Sequence, residues 1–138
     1  MKINKKKSKR KSANVMKKKR KPAFKRYKLY LSSEDATLRG FEFSGNTIIN
    51  YASTNKIVTI PDKINNMTIT SICETTFRDK SLKEIFIPKN IEYIPYDSFL
   101  GNPRAKITVD RSNKFYMSWD YKVYNKAGTI LISGSHYE

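Results

Sequence analysis

The chain has 138 residues, 28 Lys and Arg against 12 Asp and Glu, and a formal net charge of +16, enough chain for one modest domain. One cysteine, Cys73, and one histidine, His136, exclude an internal disulfide, a cysteine zinc site and nearly every histidine-based triad or metal set. Apolar runs are only a few residues long, so no membrane-spanning helix is expected, and no apolar stretch follows the basic N-terminus as a secretory signal peptide requires.

The charge sits at one end. Residues 1–28 hold 15 of the basic residues and no acid, which leaves 29–138 at a net of +1 with 45 apolar residues. The segment 1–28 is therefore expected to be a disordered basic tail, because self-repulsion and scarce apolar surface cannot offset ordering entropy. Beyond Lys2, the cations nominated for polyanion contact are Lys5, Lys6, Lys7, Lys9, Arg10, Lys11, Lys17, Lys18, Lys19, Arg20, Lys21, Lys25, Arg26 and Lys28. Such a run favours a polyanion, since each neutralised phosphate releases counterions. Phe24 and Tyr27 are interleaved with the last of these cations and are candidates for stacking on unpaired bases. An anionic membrane surface, a localisation signal or a solubility tail are the competing readings.

Residues 29–56 read as an N-terminal cap. Ser32 or Ser33 followed by Glu34 and Asp35 predicts a short helix that Gly40 ends. Phe41 to Tyr51, with Gly45-Asn46 between alternating runs, predicts a β-hairpin.

Residues 57–109 repeat. Ile60-Pro61 recurs as Ile87-Pro88 and Ile64 as Ile91 at an offset of 27; Ile72 recurs as Ile94 and Phe77 as Phe99 at an offset of 22. Residues around Asn65-Asn66-Met67 are thus an insertion in the first copy. Val58/Ile60, Ile85/Ile87 and Ile107/Val109 alternate as strands do. Isoleucine, with 15 copies against 6 of leucine, suits such strands. Pro61 and Pro88 end them, because proline cannot continue a ladder.

The set Leu82, Ile85, Ile87-Pro88, Ile91, Ile94 and Phe99 resembles the BspA-like leucine-rich repeat. Cys73 and Pro95 stand where that motif has glycine, and Thr76 and Ser98 where it has alanine. The resemblance implies a β-rich leucine-rich-repeat solenoid over 29–138, with a short parallel sheet, few helical turns and capping hairpins at both ends. The C-terminal cap would be 110–138, with arms Tyr121–Tyr124 and Thr129–Ile132 around an Ala127-Gly128 turn.

Enzyme constellations are missing: no nucleophile elbow, phosphate loop, dinucleotide-binding glycine pattern or zinc-protease motif occurs. No catalytic residue, cofactor or metal is expected. Glu34/Asp35 reads as a helix N-terminal pair, Asp110 and Asp120 as turn residues, and Cys73 as a structural cysteine. Trp119 is expected to pack the C-terminal cap, with a protein-binding hot spot as the alternative. Phe86, Tyr93 and Tyr96 either fill a second core face or display an aromatic, protein-binding ladder on the sheet.

These readings converge on a non-catalytic adaptor. The tail would anchor to nucleic acid or another polyanion, in the cytoplasm or inside a ribosomal, nucleoid or virion particle, while the repeat domain meets a protein partner. A surface-displayed adhesion module without nucleic-acid binding is the alternative, because the BspA-like family is similar to adhesins. Oligomeric state stays open.

Overall fold

The computed structural model describes residues 29–133, so the basic tail of 1–28, with all its nominated cations and Phe24 and Tyr27, lies outside the described residues, as does His136. Twelve strands and one short helix fill the described chain. Strand β1 (Tyr30–Leu31) leads into helix α1 (Ser33–Leu38). Ser32 caps α1 by accepting the Asp35 N–H on its hydroxyl at 3.1 Å. Glu34 and Asp35 occupy the first turn, where acidic side chains complement the helix dipole. Gly40 stops the helix at φ +91.

The expected leucine-rich-repeat solenoid is not what this chain builds. The strands fall into four separate three-stranded sheets, none of them closed. Strands β2 (Phe41–Ser44) and β3 (Thr47–Tyr51) form the hairpin around Gly45-Asn46, but β7 (Ser71–Ile72) joins β3 in parallel, so the pair belongs to a mixed sheet. Strands β4 (Ile57–Thr59), β8 (Glu84–Ile87) and β9 (Lys106–Val109) form the one all-parallel sheet. In it Val58, Ile85 and Ile107 share one register row, and Ile87 pairs with Val109.

The Asn65-Asn66-Met67 insertion explains part of the departure. Asn65 and Asn66 both take left-handed backbone conformations, at φ 51 and 65. That gives a tight two-residue turn between β5 (Lys63–Ile64) and β6 (Met67–Thr68), the geometry whose twist matches paired strands. Strand β5 then pairs in parallel with β1. The insertion thus seeds a sheet of its own instead of lengthening a coil.

The C-terminal end is also more than a two-armed hairpin. Strands β10 (Tyr116–Trp119), β11 (Lys122–Asn125) and β12 (Leu131–Ser133) form an antiparallel sheet, and β10 lies outside the expected arms. Tyr116 drives this: its side chain is buried, and its hydroxyl accepts the Ile94 N–H at 2.8 Å.

A single apolar cluster underlies the four sheets. It includes Ile48, Ile60, Ile64, Ile72, Ile85, Ile87, Ile91 and Ile107. Each buried isoleucine contributes roughly 1.5–3 kcal/mol relative to exposure. Two buried asparagines stitch successive segments. Asn102 donates to the Phe77 and Phe99 carbonyls and accepts the Leu82 N–H. Asn113 donates to the Pro88 and Ile91 carbonyls and accepts the Tyr116 N–H.

Candidate functional site

The four nominated aromatics are spread over several elements. Phe86 points outward from β8, opposite Ile85 and Ile87, and is half-buried between Thr59 and Thr108 in register. No aromatic ladder runs along that sheet face. The aromatic series lies inside the core instead: Phe41 to Tyr51 at 5.3 Å, Tyr51 to Phe77 at 5.6 Å and Phe77 to Phe99 at 5.9 Å. Tyr93 bridges to Ser71 of β7 and is 59% exposed, while Tyr96 is 65% exposed in the following loop. Trp119 does not pack a cap; it stands 67% exposed at the end of β10, paired with Lys122.

A cleft of about 340 Å³ opens beside β4, which is an outer strand of its sheet. Leu38 and Arg39 from the end of α1, Ser53 and Asn55 from the following loop, and Ile57 and Thr59 of β4 line it. Tyr51 shapes its floor by donating its hydroxyl to the Asn55 carbonyl at 2.8 Å. Leu38, 84% exposed, stands at the rim. The exposed lining of the cleft is mostly polar, and it lies beside an outer strand of the parallel sheet.

The two ends of the parallel sheet differ in charge. At the end where β4, β8 and β9 begin, Lys56 donates its ammonium to the Lys80 carbonyl at 2.7 Å. The Lys83 N–H bonds the Lys56 carbonyl at 2.7 Å, and the Lys106 N–H bonds the Lys83 carbonyl at 2.9 Å. Arg104 lies two residues before Lys106, exposed to solvent. The acids nearby are Glu84, opposite Lys106 in register, and Asp79, packed against Gly101.

At the other end stand Asp62, Lys89 and Asp110, each just after its strand. Burial holds the Asp62 carboxyl above the usual carboxylate range. The Leu29 N–H, donated to Asp62 Oδ1 at 2.9 Å, opposes that shift; the Asp110 charge adds to it and Lys89 subtracts. Leu29 is where the chain leaves the basic tail, so the root of the tail is fixed at this end.

Tyr121 occupies the turn between β10 and β11 with Asp120. Both residues have positive φ, at 52 and 60. A bulky aromatic rarely takes this conformation, which costs roughly 1–2 kcal/mol outside glycine. Its ring is half-exposed, and Lys106 Nζ lies 5.4 Å from its centroid, within cation–π range.

Asp110, Asp120 and Cys73 each make local contacts. Asp110 accepts the Ser112 N–H, and Asp120 pairs with Lys122 at 3.7 Å. Cys73 is half-buried with its N–H on the Ile48 carbonyl, and neighbouring Glu74 pairs with Arg78 at 2.9 Å. Burial pushes the Tyr116 phenol up, against the Ile94 N–H that it accepts, and nearby Tyr93 adds to the rise. Among the described residues no group of three or more His, Cys, Asp or Glu side chains is placed to hold a metal ion, and no helix is long and apolar enough to cross a membrane.

Sequence reasoning missed Asn102, Asn113, the lysines at the start of the parallel strands, and Tyr121. The lysines had a signal: Lys56 and Lys83 repeat at the same offset of 27 as the Ile-Pro pairs. No family model, no curated protein and no solved structure matches this chain.

Proposed function

We propose that this protein is a non-catalytic adaptor whose basic segment 1–28 anchors to nucleic acid or another polyanion while the folded part meets a protein partner. The observation that carries this reading is the charge segregation: 15 basic residues and no acid in 1–28, against a net of +1 in 29–138. Affinity for a polyanion then resides in a segment that the fold's apolar core does not need. The cleft beside β4, an outer strand of its sheet, with exposed Leu38 in its lining, supports contact with a protein. A cytoplasmic or particle-interior setting fits such an anchor.

The test neutralises Lys5–Lys7 and Lys17–Lys21 to glutamine in the full chain. Binding to short DNA and RNA is measured over a salt series, with thermal melting alongside. Binding should fall steeply with salt in the native chain and be lost in the variant at an unchanged melting transition. Undiminished binding by the variant would sink the anchoring role of the tail.

A further inference from the structure

We propose that the folded domain carries a second nucleic-acid contact, a single-strand platform formed by Lys56, Lys83, Arg104, Lys106 and the ring of Tyr121. The proposal rests on the polyanion reading above and extends it from the tail to the fold.

Strand starts bring the charged part together. Lys56 and Lys83 are joined through their backbones, as are Lys83 and Lys106. Lys106 lies one residue further along, in the register row of Ile57 and Glu84, so the three lysines are staggered across three neighbouring strand starts. Lys80 is drawn to the same place by the Lys56 ammonium on its carbonyl. None of these five cations makes an ion pair among the described residues. Glu84 and Asp79 are the acids beside them, and Asp120, paired with Lys122, adjoins Tyr121. Six cations, with Lys122, against three acids is a local excess for a domain whose net charge is +1.

Charge alone would describe any anionic ligand. The aromatic neighbour narrows the class. Tyr121 donates no backbone economy to its turn: glycine or asparagine would take its left-handed conformation at lower cost. The chain instead places a half-exposed ring there, against Lys106, and Ile107 bonds its carbonyl at 3.3 Å, fixing it beside β9. Exposed Trp119 stands two residues away. Cations beside ring faces are how proteins hold unpaired strands, with phosphates on the cations and bases stacked on the rings. Strain kept at a displayed side chain points the same way.

The placement also fits the tail. The tail is rooted at Leu29, bonded to Asp62 at the opposite end of the sheet, six residues and at most roughly 20 Å along the chain from Lys56. A 28-residue segment spans at most about 90–100 Å, so one nucleic-acid strand is within reach of both contacts, and each raises the local concentration for the other.

The experiment uses the full chain and four variants: Tyr121→Gly, the triple Lys83→Gln/Arg104→Gln/Lys106→Gln, the tail-neutralised chain, and the tail and triple changes combined. Binding to a single-stranded thymidine oligonucleotide, to the matching duplex, and to anionic phosphatidylserine vesicles is titrated against salt. Tyr121→Gly replaces a strained residue with the one its backbone favours, so it should fold at least as well as the native chain. It should nevertheless bind the single strand about tenfold more weakly, with duplex binding little changed. The triple variant should lower the single-strand salt slope by about 2, three contacts at about 0.7 each. If only the tail variant loses binding and the triple and Tyr121→Gly variants match the native chain, the platform is overturned while the tail reading stands. Loss in the triple with an unaffected tail variant establishes the platform and sinks the tail. Equal losses on single strand and duplex overturn the single-strand assignment. Binding to vesicles with none to either oligonucleotide overturns the platform and leaves the tail a membrane anchor.

Discussion

Phe77 and Phe99 lie 22 residues apart in the chain and stack with ring centroids 5.9 Å apart and planes 24° from parallel. Each sits in an equivalent turn, and each has its carbonyl bonded by the same Asn102 side chain. Phe77 also meets Tyr51, which meets Phe41. The contact is therefore one step of a core series that crosses from the mixed sheet into the repeat. Phe99→Ala should cost about 3–5 kcal/mol, the usual range for a buried phenylalanine. Chemical denaturation reads this directly, and a loss below 1 kcal/mol would show that the stack is not part of the cooperative core.

Asn102 should behave unlike a surface asparagine. Replacing it with leucine preserves bulk but strands the Phe77 and Phe99 carbonyls and the Leu82 N–H. Buried groups without partners cost about 1–3 kcal/mol each. The expected total is about 3–5 kcal/mol after partial relaxation. Asn50→Ala, which removes one exposed bond to Glu42, should stay within about 0.5 kcal/mol.

Gly101 is fixed by contact as well as by conformation. Its φ is +85, and a Cβ there would fall 2.7 Å from the Asp79 backbone and closer still to the Asp79 carboxylate. Gly101→Ala should destabilise strongly, and Asp79→Ala should not rescue it, because the backbone clash remains. Rescue in the double variant, seen as a restored melting temperature, would locate the conflict in the Asp79 side chain alone.

Asp62 gives a pH dependence of defined sign. Its pKa is raised in the folded state, chiefly by burial, so the folded chain holds a proton that the unfolded chain has released. Stability from this group is therefore greatest in acid and declines as pH rises from about 4 to the raised folded value. Asp62→Asn keeps an oxygen acceptor for the Leu29 N–H and removes the buried charge. It should flatten that decline and leave the protein at least as stable at neutral pH. A variant markedly less stable at neutral pH would mean that the carboxylate charge itself holds the root of the tail.

Local chemistry was the legible part of this fold. Ser32, Gly40 and the Gly45-Asn46 turn announced their roles because caps and tight turns depend on near neighbours. The alternation of Val58, Ile85/Ile87 and Ile107/Val109 placed residues that do lie together in register. The assembly of sheets was not legible. Whether Asn65-Asn66 lengthens a coil or starts a hairpin depends on β1, more than 30 residues upstream, offering an edge. Trp119, expected to pack the C-terminal cap, instead stands exposed at the end of β10, beside the left-handed turn at Asp120 and Tyr121. For Phe86 the sequence left a second core face and a displayed aromatic ladder both open: alternation shows that it faces away from Ile85, not what its cross-strand neighbours are, and these are Thr59 and Thr108. The buried asparagines left no periodic trace, since one side chain serving several carbonyls needs no repeat. The tail's cations lie outside the described residues, and their reading rests on charge alone.

The open edge of β4 has a consequence for behaviour at high concentration. The strand offers only three residues, Ile57–Thr59. Its Ile57 N–H is already bonded to Asn55 Oδ1 at 3.0 Å. Lys56 precedes it, and Pro61, which lacks an amide donor, follows soon after. Short length, a flanking charge and a proline are the features that stop one chain's edge from templating the next. The edge is thus too short and too well guarded to recruit copies of itself, so concentrated samples should resist fibril growth from this site.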